Sequence, residues 1–146
     1  GEATNVIPQT ARLAGTVRTL DAGARTAIAG WIRTLAEGTA LAHGARAEVN
    51  YEFGYPVTMN DPAEAAFCAE VAAEVVGPAR VVADRPPEMG AEDFSYMLEA
   101  RPGAYVFLGT GAGAPLHHPD FDYNDEASPI GASYFARLVE TALPRA

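Results

Sequence analysis

Lysine is missing from this 146-residue chain, and all ten of its basic residues are arginines. That excludes any catalysis resting on a lysine amine, and the usage fits an Arg- and Ala-rich coding bias. Cysteine is nearly missing as well: Cys68 stands alone, so no intrachain disulfide can form. With Ala65, Val71 and Ala72 as its helical neighbours, Cys68 reads as a core thiol. No apolar run approaches the ~18 to 20 residues that span a bilayer. The opening Gly1-Glu2-Ala3-Thr4-Asn5 has neither a basic n-region nor an apolar h-region, so the sequence predicts no signal peptide and a cytoplasmic location. Without an initiator Met, and with a strand-like pattern almost at once, it reads as an excised piece. Positive charge is scarce, and the formal net charge of −9 argues against nucleic acid, whose phosphates need a basic face. The acidic residues look spread along the chain, as on a solvated surface.

Several catalytic schemes are missing too. There is no G-x-S-x-G elbow and no P-loop, and "GTGAGA" precedes a loop rather than following a strand into a helix. A Cys–His pair would need Cys68 to leave a helix's apolar stripe. No internal repeat or low-complexity tract is present.

Apolar residues, by contrast, are plentiful at 49%, enough for the core of one ordinary domain. "ARLAGTVRTL" (11–20) alternates as a strand, with Leu13 and Val17 opposite Arg12 and Arg18. A helix follows, capped by Asp21, striped by Ile28, Trp31, Ile32, Leu35 and Ala42, and stopped at Gly44. "RAEVNYEFGYP" (46–56) alternates again, with Ala47, Val49, Tyr51 and Phe53 on one face. Beyond residue 57 the pattern changes. A helix capped by Asp61 with Pro62 at its first position carries Phe67, Val71 and Val75, and ends at Gly77-Pro78. Then come a short strand at 79–84, a helix over 91–100, a buried strand "AYVFLG" at 104–109, and a last helix. Ser128 and Pro129 start that last helix, and Ile130, Tyr134, Phe135, Leu138, Val139 and Ala142 pack it. The half-exposed strands of the first part and the buried strands of the second predict the end of one domain followed by the end of another.

Three stretches carry candidate chemistry. In "PLHHPDFDYNDEASP" (115–129), His117 and His118 follow a strand end, where ligands bind in open α/β sheets. Either they are polar loop residues, or one of them faces a metal, since adjacent side chains on an extended loop diverge. One histidine makes no zinc site, which needs three or four protein ligands. Glu92, Asp93, Asp120, Asp122 and Asp125 show no ligand spacing, so any such site needs ligands from elsewhere. In "MGAEDFSYM" (89–97), Gly90 opens a helix with Glu92 and Asp93 in its first turn. Either these carboxylates cap the helix, or Gly90 lets a substrate approach free N–H groups. In "TNVIPQTA" (4–11), Asn5 is a turn residue or a substrate contact. Arg18 is a solvated strand arginine or a partner for an anionic group.

The order "TNVIPQTARLAGTVRTLD", "GYPVTMND", "MGAEDFSYM", "GAYVFLG", "LHHPDFDYNDEASPIGASYFARLVE" resembles the C-terminal part of M20 metallopeptidase-family amidohydrolases. The branch is that of N-acyl-amino-acid amidohydrolases, hippurate hydrolases and auxin-conjugate hydrolases. The resemblance implies an α/β fold: residues 1–56 would be the second half of an α+β lid, or dimerisation, domain. Residues 57–146 would be the closing segment of a zinc-peptidase-like catalytic domain. It implies two divalent metals (Zn, Mn, Co or Ni) in the intact enzyme and small N-acyl amino acids as substrates. It implies a homodimer formed through the lid; the net charge and the absence of a long apolar run predict neither nucleic-acid nor membrane partners. Residue by residue, His117 matches the family's last metal ligand, Asn5 and Gly90 match positions around the substrate, and Arg18 matches the Arg of "G-T-V-R". His118 falls at a variable position. The other metal ligands and the general base lie upstream in the family and are not in this chain, so no catalytic residue is assigned. The 146 residues alone are expected to bind no metal and to be inactive. The contrasting reading is a binding or dimerisation piece without chemistry.

Overall fold

The computed structural model describes residues 3–144. They form two compact units, one ending at Phe53 and the other beginning at Gly54. In chain order come α1 (Ala22–Ala42), α2 (Pro62–Val76), a 3-10 turn (Pro78–Arg80), α3 (Phe94–Ala100) and α4 (Ala127–Ala142). Among the described residues no helix is long and apolar enough to cross a membrane. The acidic residues are not evenly spread as expected. Five Asp/Glu and five Arg fall in the first unit against fourteen and five in the second, so the second unit holds the whole net charge.

In the first unit, α1 starts and stops as the sequence dictates. Asp21 accepts the Ala24 N–H at 2.6 Å, satisfying one of the free donors of the first turn. At the other end, Gly44 takes φ +69°, the Gly44 N–H donates to Leu41 C=O, and the Ala45 N–H donates to Ala40 C=O at 2.9 Å. This is a Schellman closure, which needs a left-handed residue and therefore favours glycine. The sheltered stripe differs from the expected one. Ala24, Ile28, Ile32, Ala36 and Ala40, spaced by four, are half-buried, whereas Trp31, Leu35 and Ala42 are exposed.

The strands predicted at 11–20, 46–56, 79–84 and 104–109 are corrected: among the described residues no sheet is formed. A strand is held by its neighbour's ladder, and these segments find no continuous partner here. At 79–80 the reason is more local. Pro78 follows Gly77, and i→i+3 bonds from Arg80 to Gly77 and from Val81 to Pro78 wind the chain into the 3-10 turn. Yet the two-faced character of 46–53 persists without a ladder. Ala47, Val49 and Tyr51 are half-buried while Glu48, Asn50 and Glu52 are exposed. Phe53 leaves the pattern to lie under the Arg25 guanidinium, 4.9 Å from its ring centre.

In the second unit, α2 packs on α4. Asp61 caps α2 twice, accepting from the N–H groups of Ala63 (2.9 Å) and Glu64 (3.2 Å), and Pro62 occupies the first turn, where its missing N–H costs nothing. Val71 is the buried side chain of α2, only 1% exposed. The facing side of α4 runs Ala127, Gly131, Tyr134, Leu138, spaced four, three and four, with Ala127 buried and the others half-buried. Tyr134 donates its hydroxyl to Cys68 C=O at 3.4 Å, and Arg137 bonds Glu74 at 2.6 Å. Burial and then the Cys68 contact push the Tyr134 hydroxyl well above its ordinary pKa. A raised folded-state value keeps this contribution intact through neutral pH, and it is lost only as alkali ionises the phenol. Cys68 is half-buried beside this contact rather than fully enclosed. Ile130, Phe135, Val139 and Ala142, expected to pack α4, lie on its exposed side.

Burial is sparse throughout. Among the described residues only Val71, Ala127 and Ser95 are fully buried, and the chain exposes 12228 Å². Two compact bodies sharing its mass would expose on the order of 8,500 Å². Trp31, Leu35 and Leu41 in the first unit, and Phe107, Phe135 and Val139 in the second, are all more than half exposed.

Removing the double cap with Asp61→Ala is expected to cost about 1 kcal/mol. Asp93→Ala, at a position that makes no capping bond, should stay within about 0.5 kcal/mol. Chemical denaturation followed by helical circular dichroism measures both.

Candidate functional site

The loop after the apolar 104–109 segment holds both candidate histidines, and its backbone is not extended as predicted. The His118 N–H donates to Pro115 C=O at 3.1 Å, closing a turn with Leu116 and His117 at its centre. His117 takes φ +69° and is the only non-glycine residue with positive φ among those described. Negative φ at Leu116 and positive φ at His117 is the pattern of a type II turn, whose third position ordinarily takes glycine. A second turn follows at once, the Phe121 N–H donating to His118 C=O at 3.0 Å.

The two imidazoles therefore differ in kind. His118 accepts the Asp120 N–H on Nδ1 at 3.1 Å, with an Asp120 carboxylate oxygen 3.7 Å away. Its ring is committed to shaping its own loop. An Nδ1 that accepts leaves Nε2 to carry the proton of the neutral ring. His117 is exposed, and among the described residues what fixes it is the turn of its own backbone.

Asn124 locks this loop to its surroundings. Its Nδ2 donates to Thr110 C=O at 3.0 Å, and its Oδ1 accepts the Glu126 N–H at 3.1 Å. Its own carbonyl accepts the Ala127 N–H at 3.0 Å. Asn124 thus serves the start of α4, which was expected from Ser128. The helix begins earlier, at Ala127, so Ser128 lies inside it and its hydroxyl points to Tyr123 at 3.5 Å. Between the glycine-rich turn at 112–114 and residues 120–126 lies an open cavity of about 500 Å³, lined by Asp120, Asp122, Asp125 and Glu126 among others.

The Gly90 stretch is also placed differently from expectation. The helix begins at Phe94, so Glu92 and Asp93 precede it instead of filling its first turn. Glu92 C=O accepts both the Ser95 N–H (3.2 Å) and the Ser95 hydroxyl (2.6 Å), which closes the helix start without a carboxylate cap. The Glu92 carboxylate lies beside the Tyr105 hydroxyl. Burial and then this carboxylate hold the Tyr105 pKa above its ordinary value. Gly90 is exposed, a Cβ there would meet nothing within 4 Å, and its φ is not left-handed. Nothing in the described fold demands glycine there.

Asn5 and Arg18 belong to the first unit, Gly90 and His117 to the second. Asn5 sits in a turn whose Val6 N–H donates to Ala3 C=O at 3.5 Å, and both it and Arg18 are exposed. Within the second unit, Gly90 and His117 lie on separate segments joined through the 103–110 stretch. Asn60, Tyr105 and Asn124, none of them a candidate from residue type alone, do the joining. An asparagine directly ahead of an Asp-Pro helix start was the available signal for Asn60.

Among the described residues no three His, Cys, Asp or Glu side chains converge as a metal would require. The donors present do not fit a complete divalent-metal centre.

With loop and segments in place, sequence relationships define the class. Residues 4–141 match peptidase family M20/M25/M40, and the chain belongs to that family. It is 38% identical over 143 residues to an N-acetylcysteine deacetylase of Bacillus subtilis (strain 168), a match covering 98% of this chain and 37% of that protein. It is 33% identical to the hippurate hydrolase of Campylobacter jejuni over 138 residues (94% and 36%). It is 32% identical to thermostable carboxypeptidase 2 of Saccharolobus solfataricus over 144 residues (94% and 36%). The chain thus spans little more than a third of the length of these relatives. No solved structure matches it.

His117→Gly removes the imidazole and relieves the left-handed backbone, so stability should rise by up to about 1 kcal/mol. His118→Ala deletes the acceptor of the Asp120 N–H and should cost about 0.5 to 1.5 kcal/mol. Denaturant midpoints of the two variants give the comparison.

Proposed function

We propose that this chain is the C-terminal portion of a metal-dependent amidohydrolase that cleaves the amide bond of N-acyl amino acids, hippurate-like compounds included. Family membership and the activities named for these relatives support an amide-cleaving hydrolase. The observation that carries the site assignment is His117. It occupies a backbone position that glycine would hold with less strain, and strained positions of this kind cluster at ligand-binding sites. In this reading His117 supplies one metal ligand, and the remaining ligands come from sequence outside these 146 residues. Asn5, Arg18 and Gly90 contact substrate. Residues 1–56 are the second half of a lid and 57–146 the end of the catalytic domain. The division at Phe53–Gly54 and the exposed apolar side chains of both units support that arrangement.

What this chain's own residues contribute is placement. The type II turn presents His117, the Asp120 contact occupies His118, and Asn124 pins the loop. The open space over Gly90 admits a bound group close to the backbone.

A second reading, association of copies through the first unit, is favoured by the exposure of Trp31 (63%), Leu35 (68%) and Leu41 (78%) on α1. Sedimentation of Trp31→Ser beside the unaltered chain tests it: loss of a dimer supports it, and a monomer in both rejects it.

Two outcomes test the hydrolase reading. The purified 146-residue chain should hydrolyse N-acyl amino acids no faster than background; metal-dependent turnover by it would overturn this division of labour. In the full-length parent, His117→Ala should lose bound metal and activity by more than the ~10- to 100-fold usual for residues that only support a ligand. His118→Ala should change turnover only modestly. Metal content by elemental analysis and initial rates decide between them; loss of metal in His118→Ala alone would reverse the assignment.

A further inference from the structure

The Asn60 side chain bonds to Tyr105 and does the work of a strand neighbour. Its Nδ2 donates to Tyr105 C=O at 2.9 Å and its Oδ1 accepts the Tyr105 N–H at 2.8 Å. A carboxamide has the same donor and acceptor as a peptide group, so this pair reproduces one rung of a ladder. The next backbone bond continues the pairing, the Asp61 N–H donating to Gly103 C=O at 2.9 Å. Asp61 also caps α2, so the rung fixes Tyr105 relative to the start of that helix. The contact is partly buried and spans 45 residues of sequence.

From Tyr105 the contacts diverge. Its ring lies 5.7 Å from that of Phe94 at the start of α3 and 5.3 Å from that of Phe107. Its hydroxyl sits beside the carboxylate of Glu92, two residues beyond Gly90. Glu92 is anchored from the other side by both bonds from the buried Ser95.

We propose that Asn60 is a positioning residue: its carboxamide sets the place of Tyr105, and through the Tyr105 side chain it sets the place of the Gly90 segment. The link to substrate rests on the reading of Gly90 given above. Asn60→Asp keeps the acceptor for the Tyr105 N–H but turns a carboxylate oxygen towards Tyr105 C=O. Asn60→Ala removes both bonds. Tyr105→Phe keeps the rung and removes only the hydroxyl beside Glu92.

The test has two arms. The first is amide hydrogen exchange on this chain. Asn60→Ala should raise exchange of the Tyr105 amide and of the Ser95 and Tyr96 amides, which bond to Glu92 and Asp93, by about 10-fold, as expected for one lost hydrogen bond. Tyr105→Phe should raise Ser95 and Tyr96 alone, Asn60→Asp should fall between them, and Gly44 and Ala45 should not change. Fast exchange at Tyr105 with Ser95 and Tyr96 left as in the unaltered chain overturns the proposal. Should Asn60→Ala fail to fold, Asn60→Asp and Tyr105→Phe give the same comparison. The second arm uses the full-length parent. Asn60→Asp should raise KM for an N-acyl amino acid about 10-fold and leave kcat within about twofold. A change in thermal stability with KM unmoved overturns the positioning of substrate. A parent that cleaves no N-acyl amino acid rejects the amidohydrolase reading, and the exchange arm still decides for or against Asn60.

Discussion

The contact between α2 and α4 is what the second unit is organised around, and it is mainly apolar. Val71 is enclosed there, and burying a valine side chain is worth roughly 1.5 to 3 kcal/mol. The Arg137–Glu74 pair beside it is about half exposed, which places it in the range of about 0 to 1 kcal/mol. Packing therefore decides the position of α4, and the ion pair follows it. The small residues Ala127 and Gly131 matter for the same reason. A Cβ on Gly131 would come within 3.4 Å of Leu108, so this helix also lies closely on the apolar segment that leads to the His117 loop.

Two asparagines take over where sheet ladders are missing. Asn60 pairs with Tyr105, and Asn124 pairs with Thr110 and with the start of α4. Both ends of the 103–110 segment are held by carboxamides that supply peptide-like donors and acceptors. Buried or half-buried backbone groups need such partners wherever a neighbouring strand does not provide them. The segment keeps its position while Phe107 remains largely exposed.

What could be read from the residues was mostly local. The caps at Asp21 and Asp61, the glycine closure at Gly44 and the break at Gly77-Pro78 are set within a few residues, and each stands where its motif places it. The alternation at Ala47, Val49 and Tyr51 was also legible, because exposure follows the side-chain pattern even where no ladder forms. Pairing itself was not legible: it depends on a partner strand, which a period-2 pattern cannot promise. The sheltered side of α1 was misjudged because large residues such as Trp31 were assumed to face inward, while alanines and isoleucines take that side. At the candidate site, the histidines and Gly90 were visible as residue types. The left-handed turn at His117 and the commitment of His118 to Asp120 were not, because both arise from backbone geometry that a Leu-His-His-Pro string does not specify.

The uneven charge of the two units has a kinetic side. The first is formally neutral and the second carries all nine excess negative charges, several of them around the cavity by the His117 loop. A field of that sign concentrates cations near the loop and slows the approach of anions. At an ionic strength of about 0.15 M it reaches only about 8 Å. An anionic molecule therefore reaches this unit faster as salt is added, the reverse of the salt response of an electrostatically steered encounter.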